Sequence, residues 1–231
     1  SIKNFEIILF DDVSTDNSIK IIEKFKNVKI IKNKKKKFTS PALNQIFGIL
    51  ACLKKANGEL ICLLDADDFF KKNKLKVIRE FFVKNKNKNC VYNFPITNIN
   101  KFKYKKKKSN NIWPTIFPTS CISIRKKAMI KFVKYLKPNS FPNLEIDARL
   151  NIFMKFYLNE FNIIKKKLTK YNDDEFGITS NIPKFSKKWW FRRMEAYNYM
   201  QFILQKKNNK FKITPDYLLT RIISKTCSYF F

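Results

Sequence analysis

Three carboxylates in four positions, Asp65, Asp67 and Asp68, close the apolar run Leu60-Ile61-Cys62-Leu63-Leu64. Carboxylates this closely spaced repel one another unless a cation or hydrogen-bond donors offset them, so a divalent metal is a natural completion. An Asp-rich strand end that stays solvated and caps the next helix is the alternative reading. A second pair, Asp11 and Asp12, ends a similar apolar run, Ile7-Ile8-Leu9-Phe10, and Glu145 and Asp147 open a segment with helical periodicity. Histidine is absent from the chain, which removes Ser-His-Asp and Cys-His catalysis and histidine-ligated zinc together. Acid–base chemistry must therefore come from Asp, Glu, Lys, Tyr or Cys. The five cysteines (Cys52, Cys62, Cys90, Cys121, Cys227) are odd in number, widely spaced and mostly inside apolar segments. That pattern favours reduced core thiols in a cytosolic compartment over a disulfide framework or metal knuckle.

Stepping from the carboxylates to the elements that carry them, residues 5–12 read as a strand. Ser14, Thr15 and Asp16 offer caps for an amphipathic helix to about residue 27, and a short strand follows at 28–31. Ser40 and Pro41 open a helix over 41–56, with Leu43, Ile46, Phe47, Leu50 and Leu53 at helical spacing and Asn57-Gly58 as its stop. Strand 59–64, helix 72–87 and strand 90–97 complete an alternation that predicts an α/β domain with a mostly parallel sheet and helices on both faces. In such sheets ligands bind outside the carboxyl ends of the strands, where Asp11, Asp12, Asp65, Asp67 and Asp68 all fall. Beyond residue 98 the pattern predicts a basic loop (101–111), an aromatic-rich turn (113–120), a strand (121–125) and a helix (126–136). A helix over 145–160, a strand or hairpin arm at 161–171, a loop at 173–182, and helices over 185–207 and 215–228 follow.

The 231 residues are 45% hydrophobic and 16% aromatic, enough for a good core. The formal charge of +31 comes almost wholly from lysine, with only six arginines. Readers of nucleic acid rely on arginine for bidentate contacts, so the charge argues little for nucleic acid; it does favour anionic membrane surfaces and polyanionic ligands. No apolar run approaches the ~18 residues of a membrane span, and no signal peptide is visible.

Two segments carry a resemblance to a known family. Ile8-Leu9-Phe10-Asp11-Asp12-Val13-Ser14-Thr15-Asp16-Asn17-Ser18 is similar to the V-D-D-G-S-x-D-x-S motif of the GT-A glycosyltransferases of family 2. Ala56-Asn57-Gly58-Glu59-Leu60-Ile61-Cys62-Leu63-Leu64-Asp65-Ala66-Asp67-Asp68 resembles their A-x-G-x-x-I-x-x-L-D-A-D-D segment, with Leu75 where the family has a leucine. The resemblance implies a Rossmann-like GT-A fold with a catalytic domain over 1–182 and a helical C-terminal extension over 183–231. Within the domain it implies a nucleotide-binding half over about 1–98 and an acceptor half over about 110–182. It implies inverting transfer of a sugar from a nucleotide-diphosphate sugar, UDP-linked, to a hydroxyl of a cell-surface glycan or lipid-linked acceptor. Asp12, with Asp11 beside it, would bind the base; Asp65 and Asp67, the D-x-D pair, would hold the ribose and a Mg²⁺ or Mn²⁺. Asp147 would take the acceptor proton, from an acidic pair that Ile146 splits. Thr119 and Ser120 could orient a sugar or simply turn the chain, and Trp189-Trp190-Phe191-Arg192-Arg193 could clamp a ligand or pack the core.

Three departures qualify the match. The family's first strand, ending in a P-x-Y-N-like segment, finds no counterpart, which implies a missing β-α unit and an incomplete nucleotide pocket. Val13 replaces the motif glycine, which predicts a turn that avoids positive φ. Only Lys34 to Lys37 stand where the family has basic contacts to diphosphate. The expected setting is cytoplasmic, at the inner face of the cell membrane. A degenerate, inactive GT-A fragment and a basic polyanion-binding protein are the competing readings.

Overall fold

The computed structural model describes residues 4–97, 116–172 and 182–229. Strand β1 (Ile7–Asp11) pairs in parallel with β2 (Val28–Lys32), joined by the short helix α1 (Ser18–Ile22). The second sheet runs in the order β3 (Leu60–Cys62), β6 (Ile122–Arg125), β5 (Cys90–Ile96), β7 (Ile163–Lys170), β4 (Phe69–Phe70). Here the mostly parallel arrangement expected from sequence is corrected to a mixed one. β6 lies antiparallel to both β3 and β5, β4 is antiparallel to β7, and only β5 and β7 run parallel. The reason is that β6 inserts between β3 and β5 instead of extending the sheet at its edge.

Period-two alternation explains how one sheet serves two cores. Ile61, Cys90, Tyr92, Ile122, Ile124 and Ile163 join the large core with α2 (Pro41–Lys55), α4 (Lys126–Val133), α5 (Ile146–Ile152) and α6 (Lys187–Gln205). Leu60, Cys62, Val91 and Ile164 turn the other way, toward Ile78 and Phe82 of α3 (Lys74–Lys84). Helices therefore cover both faces, as the fold class requires. The helical C-terminal region, α6 and α7 (Pro215–Tyr229), is also present, and Ala196, Tyr197, Tyr199, Met200, Ile203 and Leu204 of α6 belong to the large core.

Local chemistry sets the helix that matters most. The Ser40 hydroxyl accepts from the Leu43 amide, 3.4 Å, and donates to the Pro142 carbonyl, 2.6 Å, so the cap of α2 also ties it to the loop before α5. Pro41 occupies the first turn, where its missing N–H costs nothing. Gly48 faces β1 so closely that a Cβ would lie 2.6 Å from Phe10 Cδ1. Glu6 accepts from the amides of Asn57 and Gly58 and from Lys29, locking the start of β1 to the turn that ends α2; these bonds lower its carboxyl to about 2.

Other elements differ from expectation in extent. α1 is only five residues long and its Ile21 stays exposed. The helix expected over 145–160 is α only to Ile152 and then widens into a π-helical turn, Phe153–Tyr157. The loops expected at 101–111 and across most of 173–182, and the start of the aromatic turn, lie outside the described residues. Among the described residues no helix is long and apolar enough to cross a membrane.

Candidate active site

Asp11 ends β1 and is buried; its carboxylate accepts from the Ser14 amide, 3.1 Å, closing the turn that follows. Asp12 accepts from Asn33 Nδ2, 2.8 Å, just past β2. Between them and Ser14, Val13 has φ 66°. The expectation that valine would force this turn out of positive φ is thus overturned: the turn keeps the left-handed geometry that suits glycine, and valine bears the strain. Closure by the Asp11–Ser14 bond and the Asn33–Asp12 bond over-determines the conformation.

The second carboxylate cluster is built from both sides of the sheet. Gln45, on the buried face of α2, donates to Asp65 Oδ1, 3.1 Å, and the Asp65 amide donates to Ser120 Oγ, 2.9 Å. Burial, then the charges of Asp68 and Asp67, push the Asp65 carboxyl up to about 6, against hydrogen bonds from Gln45 and Thr119. Asp67 is exposed at the tip of the turn. Asp68 is buried; one oxygen accepts from the Asn172 amide, 2.8 Å, and burial raises its carboxyl. It serves the structure of the turn, as the Asp68 amide bond to the Asp65 carbonyl also shows.

Beneath this turn lies a residue that sequence reading missed. Lys74, at the start of α3, is fully buried, donates to the Ser120 carbonyl and to Thr169 Oγ1, and sits 3.7 Å from the Phe70 ring centroid. Thr169 Oγ1 also takes a bond from Asn93 and donates to the Ser120 carbonyl, so Lys74, Thr169 and Asn93 together fix the segment whose hydroxyl holds Asp65. Burial lowers the Lys74 ammonium to about 8. Thr119 and Ser120 are themselves buried, and their hydroxyls face the Asp65 turn.

On the other side, α5 begins with the acidic pair. Glu145 is buried and gripped by Arg192 of α6, whose Nε lies 2.7 and 2.6 Å from its two oxygens. Asp147 is half-buried, and one oxygen accepts from its neighbouring amide, Ala148, 2.6 Å. Burial, then the charge of Glu145, push Asp147 up to about 7; Arg192 opposes this and Asp65 adds to it. Helix α5, which carries Asp147, packs against α2, which carries the Gln45 partner of Asp65, and Glu145 is occupied by an arginine. Asp11 and Asp12 take their partners from β2 and their own turn, and among the described residues no hydrogen bond joins them to Asp65, Asp67 or Asp147.

Two further supports were not legible beforehand. Arg149 is fully buried and donates to the carbonyls of Leu136, Phe141 and Leu144, tying the 136–144 loop to α5 between the rings of Phe141 and Tyr199. Glu195 accepts from the amide and side chain of Asn143, 2.8 and 2.7 Å. The Trp189–Arg193 segment packs and pairs: Trp189 and Trp190 meet edge to face, Arg193 lies 4.7 Å from Trp189, and Arg193 binds Asp216. Of the lysine run, Lys37 sits over Phe47, 4.5 Å from the ring centroid.

The donor set is one a shared cation fits. Among the described residues no three acidic or cysteine side chains converge into a cage. An exposed carboxylate beside a buried one suits a cation bound by one or two carboxylates together with a ligand's phosphates, the usual mode for Mg²⁺.

Comparison with known proteins bears on this geometry. An uncharacterized glycosyltransferase of Rickettsia conorii is 40% identical over 83 residues, 36% of this chain but 13% of that protein. The structure of Staphylococcus aureus TarS residues 1–349 with UDP-GlcNAc shares the fold, with TM-score 0.60 and 20% identity, over 95% of this chain and 61% of that one. The mannosyltransferase PcManGT of Pyrobaculum calidifontis, solved with GDP-Man and Mn²⁺, superposes with TM-score 0.51 and 11% identity, over 97% of this chain and 64% of that one. The chain thus spans less than two thirds of each of these proteins. Glycosyl transferase family 2 matches residues 1–142, from the Asp11 turn through β6 and α4, and with the shared GT-A architecture this establishes the chain as a member of that family.

Proposed function

We propose that this chain is the catalytic domain of a metal-dependent, inverting glycosyltransferase, which passes a sugar from a UDP-linked donor to a hydroxyl of a cell-surface glycan or lipid-linked acceptor. The observation that carries the reading is the position of Asp147 at the start of α5, a helix that packs against α2, whose Gln45 holds Asp65. A group raised by burial toward neutral pH, as a base that takes a proton there must be, thus stands on the helix next to the one that holds the carboxylate expected to bind the donor. Asp147 at about 7 is basic enough to accept the acceptor proton as the hydroxyl attacks, and Glu145, neutralised by Arg192, leaves that role to its neighbour.

On the donor side, Asp12 and Asp11 would bind the base, Asp65 the ribose, and Asp67 the Mg²⁺ or Mn²⁺. Such a cation would offset the negative charge that gathers on the leaving nucleotide. It would also offset the burial and the neighbouring charges of Asp68 and Asp67 that raise Asp65. The Mn²⁺ and GDP-Man of the PcManGT structure and the UDP-GlcNAc of the TarS structure support this class of donor and cofactor. The reading places the protein at the inner face of the cell membrane, where donor and acceptor meet.

Titration calorimetry with UDP and Mn²⁺ tests the two sides separately. Asp67→Ala should lose the Mn²⁺-dependent part of UDP binding, whereas Asp147→Asn should bind UDP as the parent does and lose transfer. UDP and Mn²⁺ binding unchanged in Asp67→Ala would refute the metal assignment. Transfer at the parent rate by Asp147→Asn would move the base elsewhere.

A further inference from the structure

Helix α7 packs inside out. The residues it turns toward the rest of the protein include Tyr217, Thr220 and Ser224, all buried, while Leu218, Leu219 and Ile222 are 45%, 53% and 61% exposed. The inward hydroxyls need no outside partner: Thr220 Oγ1 donates to the Asp216 carbonyl and Ser224 Oγ to the Thr220 carbonyl, both 2.7 Å. Small side chains let α7 lie close on α6 and leave Leu218, Leu219 and Ile222 on the far side. Ile213, just before the helix, is 66% exposed as well. These side chains follow helical spacing, with Leu218 and Ile222 one turn apart, so they form a stripe and not scattered single residues.

Charge says what such a stripe fits. Exposed Arg221 and Lys225 stand one turn apart along one flank, and exposed Lys210 and Lys212 precede the helix. The one acidic residue of the stretch 206–227, Asp216, is occupied by Arg193 and Tyr197. The surface is therefore apolar in the middle and cationic at its margins. A second copy of the chain would set these cations against one another under two-fold symmetry. Nucleic acid would answer the cations but bury nothing against the aliphatic side chains. A bilayer with anionic headgroups answers both.

We propose that the outer face of α7 is a lipid-docking surface. Leu218, Leu219, Ile222 and Ile213 enter the headgroup–acyl boundary of an anionic membrane, and Lys210, Lys212, Arg221 and Lys225 meet its phosphates. This goes beyond the sugar-transfer reading and does not depend on the assignment of donor or base.

Vesicle flotation tests it. A chain of charge +31 binds any anionic vesicle at low salt, so the informative measurement is made at ~1 M salt, where the Debye length is about 3 Å. At low salt the parent should bind phosphatidylglycerol-containing vesicles much more than phosphatidylcholine alone, and at high salt it should keep a salt-resistant bound fraction on the former. The triple variant L218S/L219S/I222S, its fold checked by circular dichroism, should bind at least about tenfold more weakly under these conditions. Ile130→Ser, which removes a 48% exposed aliphatic side chain from α4, should change nothing. R221Q/K225Q should weaken low-salt binding while sparing the salt-resistant part. The proposal is overturned if high salt strips parent and triple variant alike. It is equally overturned if the triple variant abolishes a sedimenting dimer and leaves vesicle binding untouched.

Discussion

Gly48 is where helix α2 touches strand β1, and replacing it gives the sharpest test of how the donor side is assembled. In an ordinary helix interior Gly→Ala stabilises by about 0.8–1 kcal/mol. Here the added methyl would lie 2.6 Å from Phe10 Cδ1 and 3.1 Å from Cγ, about 1 Å inside ordinary contact. The Phe10 ring cannot swing away freely, because it is packed edge-on against Phe47 at 5.6 Å. Overpacking of this kind costs roughly 1–3 kcal/mol, so Gly48→Ala should be net destabilising by about 1 kcal/mol. In a Phe10→Ala background the obstacle is gone, and the same substitution should stabilise by up to about 1 kcal/mol. The assay is urea unfolding of the four proteins of the cycle, read as shifts in midpoint at constant slope. A higher midpoint for Gly48→Ala in the parent, or no change of sign between backgrounds, would refute the argument. The contact matters because Phe10 immediately precedes Asp11 and Asp12, while Gln45, three residues before Gly48 on α2, holds Asp65.

Two pH-dependent predictions follow from the carboxylates. Asp147 must be ionised to act as a base, so donor-dependent transfer should rise with pH to a limb near 7; Arg192→Met removes a charge that opposes the upward shift and should move the limb up by about one unit. A limb that stays put in Arg192→Met would separate Asp147 from the rate. The stability linkage has the opposite sense: the folded state holds the Asp147 proton more tightly than the unfolded chain, so this group's contribution falls between about 4 and 7 as pH rises. Glu6 is the reverse case, its carboxyl lowered from 4.5 to about 2 by Lys29 and the Asn57 and Gly58 amides. Glu6→Gln should unfold at lower urea than the parent at neutral pH, and the difference should shrink as pH falls from about 4.5 toward 2; a gap unchanged at pH 2 would contradict the ionic role.

Much of the region around Asp11 and Asp65 was legible because its signals are local. Ser40 and Pro41 marked the start of α2, Leu43, Ile46, Leu50 and Leu53 at helical spacing marked its inward face, and the carboxylates at or just past the ends of β1 and β3 announced themselves by their crowding. Strand partners were not legible, since alternation is the same whether a strand's neighbour runs with it or against it; hence β6 inserted unforeseen between β3 and β5. Lys74 and Arg149 were hidden among 49 basic residues, because nothing within a few positions of either distinguishes a buried cation from a solvated one. The Arg192 grip on Glu145 joins residues 47 positions apart and depends on α6 folding back over α5. At Val13 the side chain pointed to one conformation and the surrounding bonds imposed another.

Arg192 and Arg193 are neighbours in one helix, and their side chains leave it about 100° apart. One clamps Glu145, two residues from Asp147; the other clamps Asp216 at the start of α7. In mechanical terms a single turn of α6 is a fulcrum between the surface helix α7 and the start of α5. Its two arms are directional guanidinium–carboxylate contacts, which transmit displacement, in contrast to aliphatic packing, which can slide. A tilt of α7 therefore has a polar path to the start of α5, running through Asp216, Arg193, Arg192 and Glu145.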